Sequence, residues 1–143
     1  MVVIEDLQYL CAENKKILEV IESLKTRVEY NCEMLSNLLD ELKNVYVEFG
    51  AVINELGRQP KTARKFFIDY QDRILFGKDI YKMDEYYIYF RVLETSDEYI
   101  EYFRKRHGLW RLYGMDLPDN VLKKIYYQNA LKMFPSIDKS LFN

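Results

Sequence analysis

The sequence predicts an α/β fold, predominantly helical, with two short parallel strands near residues 45–49 and 73–77 flanked by helices and preceded by an N-terminal helical arm. Three observations lead there. The first glycine is Gly50 and the first proline Pro60, so nothing earlier compels a helix to stop. Two brief runs rich in β-branched, aliphatic and aromatic residues, Asn44 to Phe49 and Asp72 to Phe76, each end at a glycine. Apolar residues recur at helical spacing through much of the remainder.

Alternating steps of three and four from Ile4 give Ile4, Leu7, Cys11, Asn14, Leu18, Ile21, Lys25, Val28, Cys32, Leu35, Leu39 and Leu42, all apolar except Asn14 and Lys25. Such a seam marks a coiled-coil or hairpin arm, in which the lone Asn sets register. Lys25, the β-branched Thr26 and Val28, and Asn31 as a cap for Cys32 to Leu42 argue for two helices with a break at residues 25 to 31. The first strand follows. Ala51 to Leu56 reads as a turn or short helix, and Pro60 sits in the first turn of a helix reaching Tyr70. A strand, helix, strand order makes the strands parallel and brings both glycine ends to one edge, where such folds place their sites.

From Met83 onward, Tyr86, Phe90 and Leu93, then Tyr99, Tyr102 and Phe103, predict a helical face divided at Thr95-Ser96-Asp97. Gly108 and Gly114 bracket an irregular or extended link, Leu109 to Tyr113, carrying Trp110. Pro118 starts a last helix with a buried face of Val121, Leu122, Ile125, Tyr126, Ala130 and Met133, stopped by Pro135. The organisation expected is an arm over 1–30, a main segment over 31–135 and a fraying tail over 136–143.

With 143 residues, 49% apolar and 31% charged, the chain is the size of one domain, and its net charge of -2 offers no field for nucleic acid. No apolar run is long enough to span a membrane and no leader opens the chain, so a cytoplasmic protein is expected. A closed (β/α)8 barrel takes about 250 residues, more than this chain has. One His (His107) and two Cys (Cys11, Cys32), the cysteines 21 positions apart, are a poor match to a catalytic zinc site, which commonly takes three protein ligands, usually including His. The cysteines read as buried thiols.

Asp79, two residues beyond Gly77, is the sharpest candidate, because its carboxylate would project over the carboxyl edge of the second strand. Glu48 is the second. Two carboxylates at one edge can hold a hard cation or move protons. The plainer readings are a turn aspartate and a strand acid paired with a Lys or Arg. His107, inside Arg104-Lys105-Arg106-His107-Gly108, reads as a cation at a helix end.

Several strings, taken in order, resemble a known family: Asn44-Val-Tyr-Val-Glu-Phe-Gly-Ala51, Glu55-Leu-Gly-Arg-Gln-Pro60, Asp72-Arg-Ile-Leu-Phe-Gly-Lys-Asp79, Phe90-Arg-Val-Leu-Glu-Thr95, and Tyr113-Gly-Met-Asp-Leu-Pro-Asp119 leading to Ile125-Tyr-Tyr-Gln-Asn-Ala130. From about Asn31 to Phe134 the chain resembles the closing part of the amidohydrolase-related (amidohydrolase 2 type) metal-dependent hydrolases, a TIM-barrel family. The resemblance implies a partial barrel, the two strands being its last two, and a divalent metal, zinc or manganese, as the family's cofactor. It also implies for Asp79 the family's metal-binding and proton-handling role.

The departures are as informative. The family's opening His-x-His pair and later histidine ligands have no counterpart, and Lys78 stands where Thr is usual, so that an ammonium beside the site disfavours a divalent ion unless it points elsewhere. The reading is a truncated product or one half of a split enzyme for metal-assisted hydrolysis or decarboxylation, inactive and without metal by itself. Its expected partners are the missing N-terminal half or copies of itself, with no nucleic acid and no membrane. Residues 1–30 read as a remnant crossover helix or as a new arm over the exposed barrel edge. The alternative is a non-catalytic helical interaction or dimerisation module.

Overall fold

The computed structural model describes residues 32–104 and 110–142. The arm expected over 1–30, its seam, Cys11, the Asn31 cap and His107 lie outside these residues. Helix α1 (Cys32–Glu41) begins where the sequence places it and buries Leu39. Arg73 closes its far end: Nη1 donates to the Leu42 carbonyl at 2.7 Å and Nη2 to that of Leu39. Those carbonyls lack partners within the helix, so the guanidinium both caps α1 and fastens it to the strand that follows Arg73.

Strand β1 (Val47–Glu48) leads through α2 (Ile53–Leu56) and α3 (Pro60–Asp69) to β2 (Ile74–Leu75). The pairing is parallel, Val47 opposite Ile74 and Glu48 opposite Leu75, as the crossover requires. Both strands are shorter than the runs at 45–49 and 73–77. The Phe76 amide leaves the ladder to donate to the Ile125 carbonyl at 3.0 Å, which ends β2.

Helix α4 (Met83–Glu94) buries Glu85, Tyr89, Val92 and Leu93, a face rotated from the expected Tyr86, Phe90 and Leu93. Tyr86 and Phe90 lie at its margin, packed on the Phe76 ring. The helical continuation through Tyr99, Tyr102 and Phe103 is absent. Instead the chain turns back on itself in extended form, with Ile100 bridging Leu112 in antiparallel fashion and the Gly114, Met115, Asp116 and Leu117 amides donating to Asp97, Val92, Thr95 and Leu93 carbonyls. Gly114 permits this: a Cβ there would lie 1.9 Å from the Thr95 carbonyl oxygen. Asp97 caps no helix and pairs with Arg91 at 2.6 Å. Arg104 likewise follows irregular chain rather than a helix.

After Pro118 come α5 (Asp119–Lys123), a π-helical turn (Lys124–Gln128) and α6 (Asn129–Met133). The wide turn changes the register, so that Val121, Leu122, Ile125 and Asn129 are buried while Ala130 and Met133 are only half-buried. Asn129 is held at both hydrogens of its amide, donating to the Gln71 and Ile74 carbonyls at 2.7 and 2.8 Å. One core cluster unites Leu39, Phe49, Ile53, Phe67, Ile74, Tyr89, Leu93, Leu112 and Ile125. The tail carries a 3-10 turn (Lys139–Phe142), and the Phe142 ring stacks on Tyr127 at 5.5 Å. No helix among the described residues is long and apolar enough to cross a membrane.

Candidate functional site

The carboxyl ends of β1 and β2 meet in a cradle of two glycines. A Cβ on Gly50 would lie 2.1 Å from Glu48 Oε1 and 2.6 Å from the Gly77 carbonyl oxygen, and one on Gly77 would lie 2.3 Å from Glu48 Cγ. The Glu48 side chain therefore folds over the strand ends into space that only glycine leaves open, and its Oε1 accepts the Gly50 amide. Among the described residues neither Lys nor Arg pairs with it. Tyr89, rising from α4, fixes the same turn by donating its hydroxyl to the Gly50 carbonyl.

Burial raises the Glu48 carboxyl above the usual range, the Asp79 charge adds to the push, and the Gly50 N–H opposes it. The structure thus brings the two candidate carboxylates within electrostatic reach of one another. Asp79 is exposed and lies outside α4, whose N-cap is Lys82. Burial also raises the Tyr89 hydroxyl, with Tyr102, Glu48 and Asp79 adding and Arg104 opposing. That phenol stays protonated and serves as a donor.

The Lys78 side chain, only 2% exposed, is engaged by α4. Its ammonium donates to Glu85 Oε2 and lies 5.5 to 5.8 Å from the Tyr86, Tyr89 and Phe103 ring centres, a box in which a desolvated cation is stabilised by the rings as well as by its counter-ion. The Lys78 hydrogen bond holds the Glu85 carboxyl below its ordinary range, aided by Lys82 and Arg104. Sequence reasoning found Asp79, Glu48 and Lys78 but missed Glu85, Tyr89 and Arg104. A lysine and a glutamate seven residues apart across a loop carry no periodic signal; the nearest hint was an acid inside an apolar helical face.

Among the described residues no group of three or more His, Cys, Asp or Glu side chains is placed to hold a metal ion. Glu48 and Asp79 alone do not make a site for a catalytic zinc, which commonly takes three protein ligands. Cys32, the described cysteine, is a half-buried thiol whose pKa burial raises.

No curated protein and no solved structure matches the chain. A family model described as amidohydrolase matches residues 30–136. That span holds both strands, their glycine cradle and the whole of the main segment, so the chain belongs to the amidohydrolase family.

Proposed function

We propose that the chain is a carboxyl-terminal piece of an amidohydrolase barrel, its β1 and β2 being the last two strands, and that Asp79 occupies the family's metal-binding and proton-handling position. The family generally depends on a metal, which supplies Lewis-acid activation of water or substrate when bound. The described residues do not fit a complete site for it, so the reaction, metal-assisted hydrolysis or decarboxylation, needs ligands from elsewhere: a detached N-terminal half of the barrel or a second copy, in the cytoplasm. By itself the chain is then inactive. What this chain brings is Asp79 at the edge, Glu48 folded beside it, and a rigid turn held by Tyr89 and by the Lys78–Glu85 pair.

The observation that carries this reading is the parallel pairing of Glu48 with Leu75, which sets Glu48 and Asp79 at the same end of the sheet inside the matched span. Calorimetric titration with zinc and manganese, alongside assays on model amides and esters, tests it. The expected result is no stoichiometric binding and no turnover by the isolated chain. One tightly bound ion per chain, with turnover abolished by Asp79→Asn, would overturn the claimed incompleteness.

A further inference from the structure

Between α1, β1 and α3 lies an apolar groove walled by Leu35, Val47, Phe49, Val52 and Phe66, with Cys32 among its lining residues. Within the described residues β1 pairs only with β2, so the groove flanks a strand with one unpaired edge. Apolar surface of this kind needs a cover. Residues 1–31 run directly into Cys32, so the chain outside the described region begins at a wall of the groove itself.

That segment carries the seam Ile4, Leu7, Cys11, Asn14, Leu18, Ile21, Lys25 and Val28, apolar except at Asn14 and Lys25. A helical face of this spacing presents a largely apolar stripe, the kind of surface that lies into an apolar groove. A tethered segment acts at an effective concentration on the order of millimolar, which favours it over a second copy in dilute protein. We propose that the chain's own N-terminal seam docks in this groove and shields it, in preference to a second copy. The proposal does not rest on the hydrolase reading: it concerns the wall of the fold and survives if the chain turns out to be active alone.

Cys32 supplies the reporter. In full-length Cys11→Ser protein, Cys32 is the sole thiol, and its rate of alkylation by iodoacetamide reads exposure of the groove. Adding Leu18→Glu and Ile21→Glu is expected to accelerate alkylation about tenfold or more, since a shielded thiol reacts only through opening. The unsubstituted protein is expected to stay monomeric, with the rate unchanged over roughly a hundredfold dilution. An alkylation rate insensitive to the two glutamates overturns the proposal. So does protection that is lost on dilution together with a dimer, which makes a second copy the cover. Should the substituted chain fail to unfold cooperatively, hydrogen exchange on the unsubstituted monomer decides: slowed amides over 4–28 support docking, and free-chain rates there overturn it.

Discussion

Lys78 and Glu85 form a buried ion pair that ties the lysine next to the candidate aspartate to helix α4. The two residues bridge the loop after β2 to the first turn of α4, and the packing of the Lys78 ammonium against the Tyr89 and Phe103 rings makes the pair a strut for the strand edge. Removing one member of such a pair strands a charge in the core, at a cost of about 3–5 kcal/mol, whereas replacing both by apolar residues is often neutral. Glu85→Leu, which takes the carboxylate from the Lys78 ammonium, is therefore expected to lower the urea midpoint strongly, and the double change Lys78→Met with Glu85→Leu to recover most of the loss; Lys78→Met alone costs less, because Lys82 and Arg104 still face Glu85. A double variant no more stable than Glu85→Leu would show that the pair is not acting as a unit.

The two glutamates of the site drive stability in opposite directions with pH. Glu85 is held below its ordinary value of 4.5, so its contribution is present above 4.5 and fades as pH falls through its lowered value. Glu48 is held above its ordinary value of 4.5, so its protonated form is favoured in the fold and stability is lost as pH rises from 4.5 through the raised value. Glu48→Gln is thus expected to equal or exceed the parent in stability at pH 7 and to lose that advantage below 4.5. Urea unfolding at several pH values measures both, and a Glu48→Gln protein that is less stable only at pH 7 would contradict the assignment.

The glycine cradle predicts an asymmetry. The three atoms nearest a Cβ at Gly77 all belong to the flexible Glu48 side chain, but one at Gly50 also meets the Gly77 carbonyl oxygen and, at 2.9 Å, the Lys78 Cα. Gly77→Ala is expected to be relieved by Glu48→Ala, whereas Gly50→Ala retains a cost of about 1–3 kcal/mol in the same background because backbone cannot step aside. A double-mutant cycle read by chemical unfolding separates the two cases. Equal rescue at both glycines would refute the geometry.

The strands, the crossover, α1 and the last helix were legible because each rests on local signals: β-branched runs closed by Gly50 and Gly77, Pro60 and Pro118 at helix starts, and the periodicity of Val121, Leu122 and Ile125. The failure at Tyr99 to Phe103 has a physical cause. Their spacing fits a helix, but the returning chain offers Leu112 as a bridge partner to Ile100, and Gly114 alone allows the approach that completes the pairing. Long-range hydrogen bonds outweighed local periodicity. At the edge, Asp79 and Glu48 followed from strand ends, whereas the direction of Lys78 depended on Glu85 and on three aromatic rings gathered by tertiary packing.

Asn129 is a test of how firmly the last helix is fastened to the sheet. It is buried, and its amide satisfies the carbonyls of Gln71 and Ile74 at 2.7 and 2.8 Å, just before and within β2. Leucine keeps the volume but leaves both acceptors without these donors, at a cost of about 1–3 kcal/mol for each group left unsatisfied. Aspartate is worse, since it offers oxygens to oxygens and adds a charge. Thermal unfolding should therefore rank the parent above Asn129→Leu and that above Asn129→Asp. The gap to Asn129→Asp should narrow below pH 4, where a protonated carboxyl regains one donor. A gap that widened on acidification would mean that the Asn129 amide is not the donor to these carbonyls.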